Sequence, residues 1–279
     1  MKYICSWSGG KDSTASIILA HLNNEPLDII LFSEVMYDKQ NNISGEHPDH
    51  IHFIRNVAKP LFESWGYEVR ILRSNKDYLD CFHHIIERPR KHMHHKGMEY
   101  GFVASGQCSV KRDCKEKPIK DFYKNISEPY IQYVGICVDE PKRLQSVHKS
   151  KNKKSLLEKY GYTEEMARKL CEQYNLLSPC YKLSKRGGCW FCPNAKLAEH
   201  KAISDLYPDV WKSFVALETL PNIANNKWNI YGKRTLSDID KELKNFKGMQ
   251  NETDKGIKIK GSSCIENYCY KQMTIFDYM

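Results

Sequence analysis

Along the first half of the chain, short apolar runs alternate with amphipathic stretches. Residues 3–7, 28–33, 67–72, 101–104 and 130–138 are rich in Ile, Val, Leu, Phe and Tyr and are bounded by Gly, Pro or polar residues, which predicts strands. Helices fall between them. Residues 12–22 follow the first strand directly, and residues 48–65 place Ile51, Ile54, Ala58, Leu61 and Phe62 at helical spacing with Pro48 in a first-turn position. Strand and helix in alternation predict an α/β fold with a mostly parallel, doubly wound sheet. In such sheets ligands bind beyond the carboxyl ends of the strands, so the loops after Trp7, Ser33, Ala104 and Val138 are expected to converge on one site.

Beyond Val138 the pattern changes. Residues 163–177 predict a helix capped by Thr163, with Glu164 and Glu165 at its positive end and Pro179 beyond it. A loop dense in Cys, Gly and aromatic residues runs to Asn194, and helices are expected over 208–218 and 237–246. The chain therefore divides into an α/β nucleotide-binding domain over 1–150, a mainly helical, cysteine-containing region over 151–247 and a polar tail over 248–279.

Composition narrows the class. With 279 residues, 41% hydrophobic and 28% charged, and a mean hydropathy of -0.62, the chain is neither fibrous nor largely disordered. No run approaches the roughly 18 apolar residues of a membrane span, and the N-terminus lacks the pattern of a secretory leader, so a cytoplasmic location is expected. Eleven cysteines in a reducing compartment point to metal ligation or catalysis rather than disulfides. The net charge of +9 is concentrated: Lys142, Arg143, Lys149, Lys151, Lys153, Lys154 and Lys159 face one acid, Glu158, within a short segment suited to a polyanion.

Ser8-Gly9-Gly10-Lys11-Asp12-Ser13 lies between a predicted strand and helix, where glycines allow a tight turn and backbone amides surround a phosphate. Neither the Walker pattern nor G-x-G-x-x-G occurs. The string resembles the signature of the PP-loop ATP pyrophosphatase superfamily. Lys115-Glu116-Lys117-Pro118, then Gly135-Ile136-Cys137-Val138-Asp139-Glu140-Pro141-Lys142-Arg143, then Leu177-Ser178-Pro179-Cys180-Tyr181 are similar to motifs of its phosphoadenosine phosphosulfate reductase-like branch. The resemblance covers residues 1–195. It implies an adenine nucleotide alpha hydrolase-like sheet and ATP cleaved between its α and β phosphates, with AMP handed to an acceptor oxygen. Ser8, Gly9, Gly10, Lys11, Asp12, Ser13, Gly135 and Glu140 would bind the nucleotide, Lys11, Asp12, Asp139 and Arg143 would carry the chemistry, and a carboxylate would hold Mg²⁺.

Cys180, Cys189 and Cys192 form C-x8-C-x2-C, in which the C-x-x-C turn lets two sulfurs reach one ion. Cys108 is the leading fourth ligand, with Cys114 and Cys171 as alternates. The set resembles that of the [4Fe-4S] DNA phosphorothioation sulfurtransferases, with zinc as the other soft-metal possibility. This implies an ATP-dependent sulfurtransferase acting on DNA or RNA, supplied by a donor such as a cysteine desulfurase. Two other classes remain: a sulfonucleotide reductase, although the C-terminal Glu-Cys-Gly-x-His element of such enzymes is missing, and a non-catalytic DNA-associated metalloprotein. Cys5, Cys81 and Cys137 lie in or near apolar runs and read as core residues, whereas Glu34, Glu46, His47 and His50 follow the second strand where an acceptor would enter. Gln272-Met273-Thr274-Ile275-Phe276 resembles the peptide that bacterial proteins insert into the sliding clamp.

Overall fold

The computed structural model describes residues 1–246 except 90, 104–107, 183, 185–186 and 229–233. Its centre is a five-stranded parallel sheet made of β1 (Lys2–Trp7), β2 (Ile29–Glu34), β5 (Glu68–Arg73), β7 (Tyr130–Tyr133) and β8 (Lys153–Lys154), in the order β5-β2-β1-β7-β8. Two small sheets stand apart: β3 (Met36–Asp38) with β4 (Ile43–Ser44), antiparallel, and β6 (Glu99–Gly101) with β9 (Ile223–Asn225), parallel. β1 and β2 are covered on both sides, which is why they read as unbroken apolar runs rather than as alternations.

Helices cover both faces. On one lie α1 (Lys11–Leu22), α2 (Pro48–Phe53), α3 (Lys59–Ser64), α7 (Leu156–Lys159) and α8 (Glu164–Gln173), sharing a core that includes Trp7, Ile17, Phe32, Phe62, Leu157 and Leu170. Every residue of α1 from Ser13 to Ala20 is buried, because the helix is sandwiched between the sheet and α8. On the other face α5 (Lys117–Lys124) sets Phe122 and Tyr123 against Ile4, Ile29 and Leu31. The core of the sheet thus runs past residue 150, through Leu176.

A second core gathers Trp190, Phe191, Trp211, Phe214 and Trp228 with Tyr78, Phe82 and Phe102. It is enclosed by α4 (Tyr78–Phe82), α9 (Leu197–Leu206), α10 (Pro208–Ala216) and α11 (Leu236–Asn245), while α6 (Pro141–His148) packs beside β8. Among the described residues no helix is long and apolar enough to cross a membrane.

Three expectations need correction. The strand expected over 101–104 is not a core strand in its described residues, 101–103, with Ala104 outside them: Gly101 ends β6, whose partner is β9, and Phe102 and Val103 feed the second core. β7 stops at Tyr133 rather than continuing to Val138, because Gly135 leaves the sheet to approach α1. The helix over 48–65 is interrupted by a π turn, Ile54–Ala58, and a second π turn, Lys111–Glu116, precedes α5. Each π turn comes just before a proline, Pro60 or Pro118, which offers no amide to the preceding turn.

Candidate functional site

Strand order reverses at β1: β2 and β5 lie to one side, β7 and β8 to the other. The carboxyl ends of β1 and β7 therefore flank the crevice in which open α/β sheets bind ligands. A cleft of about 410 Å³ opens there, lined by residues of the Ser8–Ser13 loop, Gly135, Lys115, Arg143 and Tyr181 among others.

The loop is built tightly. Gly9 has φ +71°, and a side chain there would meet Ile54 and His50 at 2.4 and 2.5 Å, so both conformation and space demand glycine. The Ser13 hydroxyl accepts from the Ser8 amide at 3.1 Å and donates to the Gly10 carbonyl at 3.1 Å. Trp7 Nε1 donates to Thr14 Oγ1 at 3.0 Å, fixing strand to helix. Gly135 is needed for closeness alone: a Cβ would sit 2.5 Å from the Ser13 nitrogen. The Lys11 amide donates to the Tyr181 hydroxyl at 2.9 Å, so an aromatic side chain from beyond residue 150 closes over the loop. Burial pushes that phenol up to about 12.

Of the residues singled out in the sequence, Ser8, Gly10, Asp12, Ser13, Gly135 and Arg143 line the cleft. The Lys11 ammonium is directed elsewhere, bonded to Asp12 Oδ1 at 2.7 Å and Glu164 Oε2 at 2.6 Å. Burial by itself would lower its pKa, but the bonds to Asp12 and Glu164 outweigh that and raise it. Asp139 accepts from the Glu164 amide at 3.2 Å at the start of α8, and Glu140 pairs with Arg143 while accepting from the Cys137 amide at 3.2 Å.

Sequence reasoning missed the ion pair at the back of the cleft. Glu46, fully buried, lies 3.8 Å from the Lys115 ammonium, whose pKa its carboxylate raises. The Lys-x-x-Pro motif marked Lys115, but nothing local to either residue signals a partner so distant in the chain. Tyr181 was marked only as the last residue of the Leu-x-Pro-x-Tyr stretch.

Cys192 donates its amide to the Cys189 carbonyl at 3.1 Å, making the expected turn, and Cys189 bridges to Glu46. Cys108, Cys189 and Cys192 are half-buried, and desolvation raises the thiols of Cys108 and Cys189. Cys180 faces Ser178 Oγ at 3.2 Å and His50 Nδ1 at 3.8 Å, and burial pushes its thiol up to about 11. Ser178 Oγ is 2.7 Å from that same His50 nitrogen, and burial lowers the imidazole pKa. The alternates point away: Cys114 contacts Cys81, and the Cys171 thiol donates to the Lys11 carbonyl at 3.2 Å. Among the described residues no group of three or more His, Cys, Asp or Glu side chains is gathered to hold a metal ion. The donors suit a soft metal chemically, but among the described residues they are not gathered into one group.

All seven basic residues of the 142–159 segment are exposed. Lys159 pairs with Glu25, and Lys153 and Lys154 form the edge strand, beside a second cleft of about 510 Å³ that also takes in Tyr3, Tyr133 and His148. Residues 272–276, with Cys264 and Cys269, lie outside the described residues. No protein family, curated protein or solved structure matches the chain.

Proposed function

We propose that the chain is a PP-loop ATP pyrophosphatase that adenylates an oxygen of a nucleic acid and prepares it for replacement by sulfur. One observation carries this: the Ser8–Ser13 loop, Gly135, Lys115 and Arg143 meet in a single cleft at the reversal of strand order. That arrangement suits an anionic ligand, with amides of a strand-to-helix turn at one wall and two cations at the others.

In this role Ser8, Gly9, Gly10 and Ser13 hold the departing pyrophosphate, and Lys115 and Arg143 offset charge on the triphosphate. Lys11 leaves Glu164 to neutralise the leaving group, while the Tyr181 hydroxyl gives up the Lys11 amide. The acceptor oxygen bonds to the α phosphorus as the bond to pyrophosphate breaks, pyrophosphate leaves with the bonding pair, any proton the acceptor gives up passes to water, and AMP remains as a group that a sulfur nucleophile can displace. Asp12 and Asp139 would hold Mg²⁺, which supplies further charge compensation when bound. Cys108, Cys180, Cys189 and Cys192 would have to converge before an iron–sulfur cluster or a zinc ion could join the sulfur half of the reaction, and adenylation needs neither. The exposed lysines of 142–159 continue from the cleft along β8 and favour a nucleic-acid backbone as acceptor, with binding that weakens steeply as salt is added.

The test is pyrophosphate release from ATP by anaerobically prepared protein, with DNA, tRNA or no acceptor, alongside iron, sulfide and zinc analysis. Release stimulated by a nucleic acid is the expected result. Thiol-dependent turnover of adenylyl sulfate without pyrophosphate would replace this function with that of a sulfonucleotide reductase, and absence of both would leave the non-catalytic alternative.

A further inference from the structure

Away from the cleft, two thiols from distant parts of the chain meet. Cys81 Sγ on α4 and Cys114 Sγ in the π turn Lys111–Glu116 are 3.8 Å apart. The Cys114 thiol also reaches the Asp77 carbonyl at 3.5 Å, and Asp77 caps α4 with a reciprocal bond to Asp80. Cys114 is fully buried and Cys81 is 6% exposed. Both backbones are anchored, one by the capping box and the other by the turn leading into α5, so the contact is built into the fold.

We propose that Cys81 and Cys114 are a redox-active dithiol that closes to a disulfide when the protein meets a peroxide. A disulfide needs the sulfurs about 2.05 Å apart, so they must approach by roughly 1.8 Å, within the reach of a side-chain torsion. Cys81, the more accessible of the two, attacks first as the thiolate. Its sulfur bonds to one peroxide oxygen, the O–O bond breaks, and the departing hydroxide takes up the thiol proton as water, leaving a sulfenic acid. The Cys114 sulfur then bonds to Cys81 as the S–O bond breaks, and this hydroxide leaves as water with the Cys114 proton. Two thiols thus lose two electrons and two protons to one peroxide, giving a disulfide and two waters.

The position gives the bridge a consequence. Cys114 directly precedes Lys115, which lines the cleft against Glu46. Oxidation would tie the turn carrying that cation to α4 and so couple the chain's redox state to the cleft, whatever ligand the cleft receives.

The experiment uses the full chain, reduced and freed of reductant, then titrated with hydrogen peroxide. Remaining thiols are alkylated and the protein is digested without reduction for mass spectrometry. The expected product is a cross-linked pair of peptides carrying Cys81 and Cys114, lighter by two hydrogens than the separate peptides and split by dithiothreitol. Cys108→Ser should retain this link and Cys81→Ser should lose it. A first disulfide elsewhere, such as Cys108 with Cys192, overturns the proposal. So does a Cys81 and Cys114 pair alkylated as fully after peroxide as before. Because the decisive spectrum comes from the unsubstituted protein, a misfolded variant cannot obscure it, and the outcome does not depend on any ATP chemistry.

Discussion

Gly135→Ala tests whether the exit of β7 sets the geometry of the Ser8–Ser13 loop. The added carbon would lie 2.5 Å from the Ser13 nitrogen, 2.7 Å from the Asp12 carbonyl carbon and 2.8 Å from Ser13 Cα. Ordinary contact begins near 3.4 Å, so roughly 0.6–0.9 Å must be found, and all three atoms are backbone that no rotamer change can clear. α1 cannot retreat, since Ser13 to Ala20 are buried. The β7 exit must yield instead, against bonds from the Val134 amide to Lys154 at 3.0 Å and from Ser155 Oγ to the Ile136 carbonyl at 2.6 Å. Overpacking of this kind costs about 1–3 kcal/mol. The same displacement at a reacting site can lower the rate by about 10²-fold. Urea denaturation followed by circular dichroism should show a lower midpoint with an unchanged slope, and pyrophosphate release should fall by about two orders of magnitude. Gly66→Ala is the control: its φ is +92° with nothing within 4 Å, so it should cost about 1 kcal/mol in backbone strain and leave the rate alone. Gly135→Ala with the stability and rate of the unsubstituted protein would refute the claim that this close approach shapes the loop.

Other outcomes follow from the same contacts. Lys11→Ala should reduce pyrophosphate release by about 10²–10³-fold, whereas its partly exposed ion pairs make the stability change less than about 1 kcal/mol; a normal rate in a direct pyrophosphate assay would remove Lys11 from the chemistry. Tyr181→Phe frees the Lys11 amide, so it should lower stability by about 1 kcal/mol and tighten inorganic pyrophosphate binding a few-fold in calorimetry; weaker binding would make the hydroxyl a ligand rather than a competitor. Burial lowers the His200 pKa from 6.5 to about 4, so the unfolded chain takes up a proton that the folded one refuses. Stability should therefore be unaffected by this residue above pH 6.5 and decline by about 3 kcal/mol as pH falls through 6.5 towards 4, a slope that His200→Gln should remove from urea midpoints measured across that range.

Much of the sheet was legible: β1 and β2, covered on both faces, leave apolar runs, and the edge strand β5 keeps Val69, Ile71 and Leu72 among exposed charges; all three fall within a residue of expectation. β8 left no such trace. Its two residues are exposed lysines, held only by backbone pairing that continues from Gln132 to Asn152 and from Val134 to Lys154, so nothing in side-chain pattern announces it. Residues 101–103 failed for the opposite reason, since Phe102 and Val103 look like strand core yet serve the second apolar cluster. In the cleft, the loop was readable from its glycines between strand and helix, and Gly135 from the resemblance of residues 135–143 to a family motif. The Glu46–Lys115 pair and the turn of Cys180 towards Ser178 and His50 depend on tertiary contact, and C-x8-C-x2-C conveys spacing without direction.

The two outer strands of the main sheet share a property that matters when molecules crowd together. One border presents Glu68, Arg70 and Arg73, and the other presents Lys153 and Lys154, all exposed. A strand from another copy could zip onto either rim only by stripping water from these charges or setting lysine against lysine. The layer is thus closed to lateral growth by its own side chains, and concentrated solutions should resist the fibrous stacking that bare apolar rims invite.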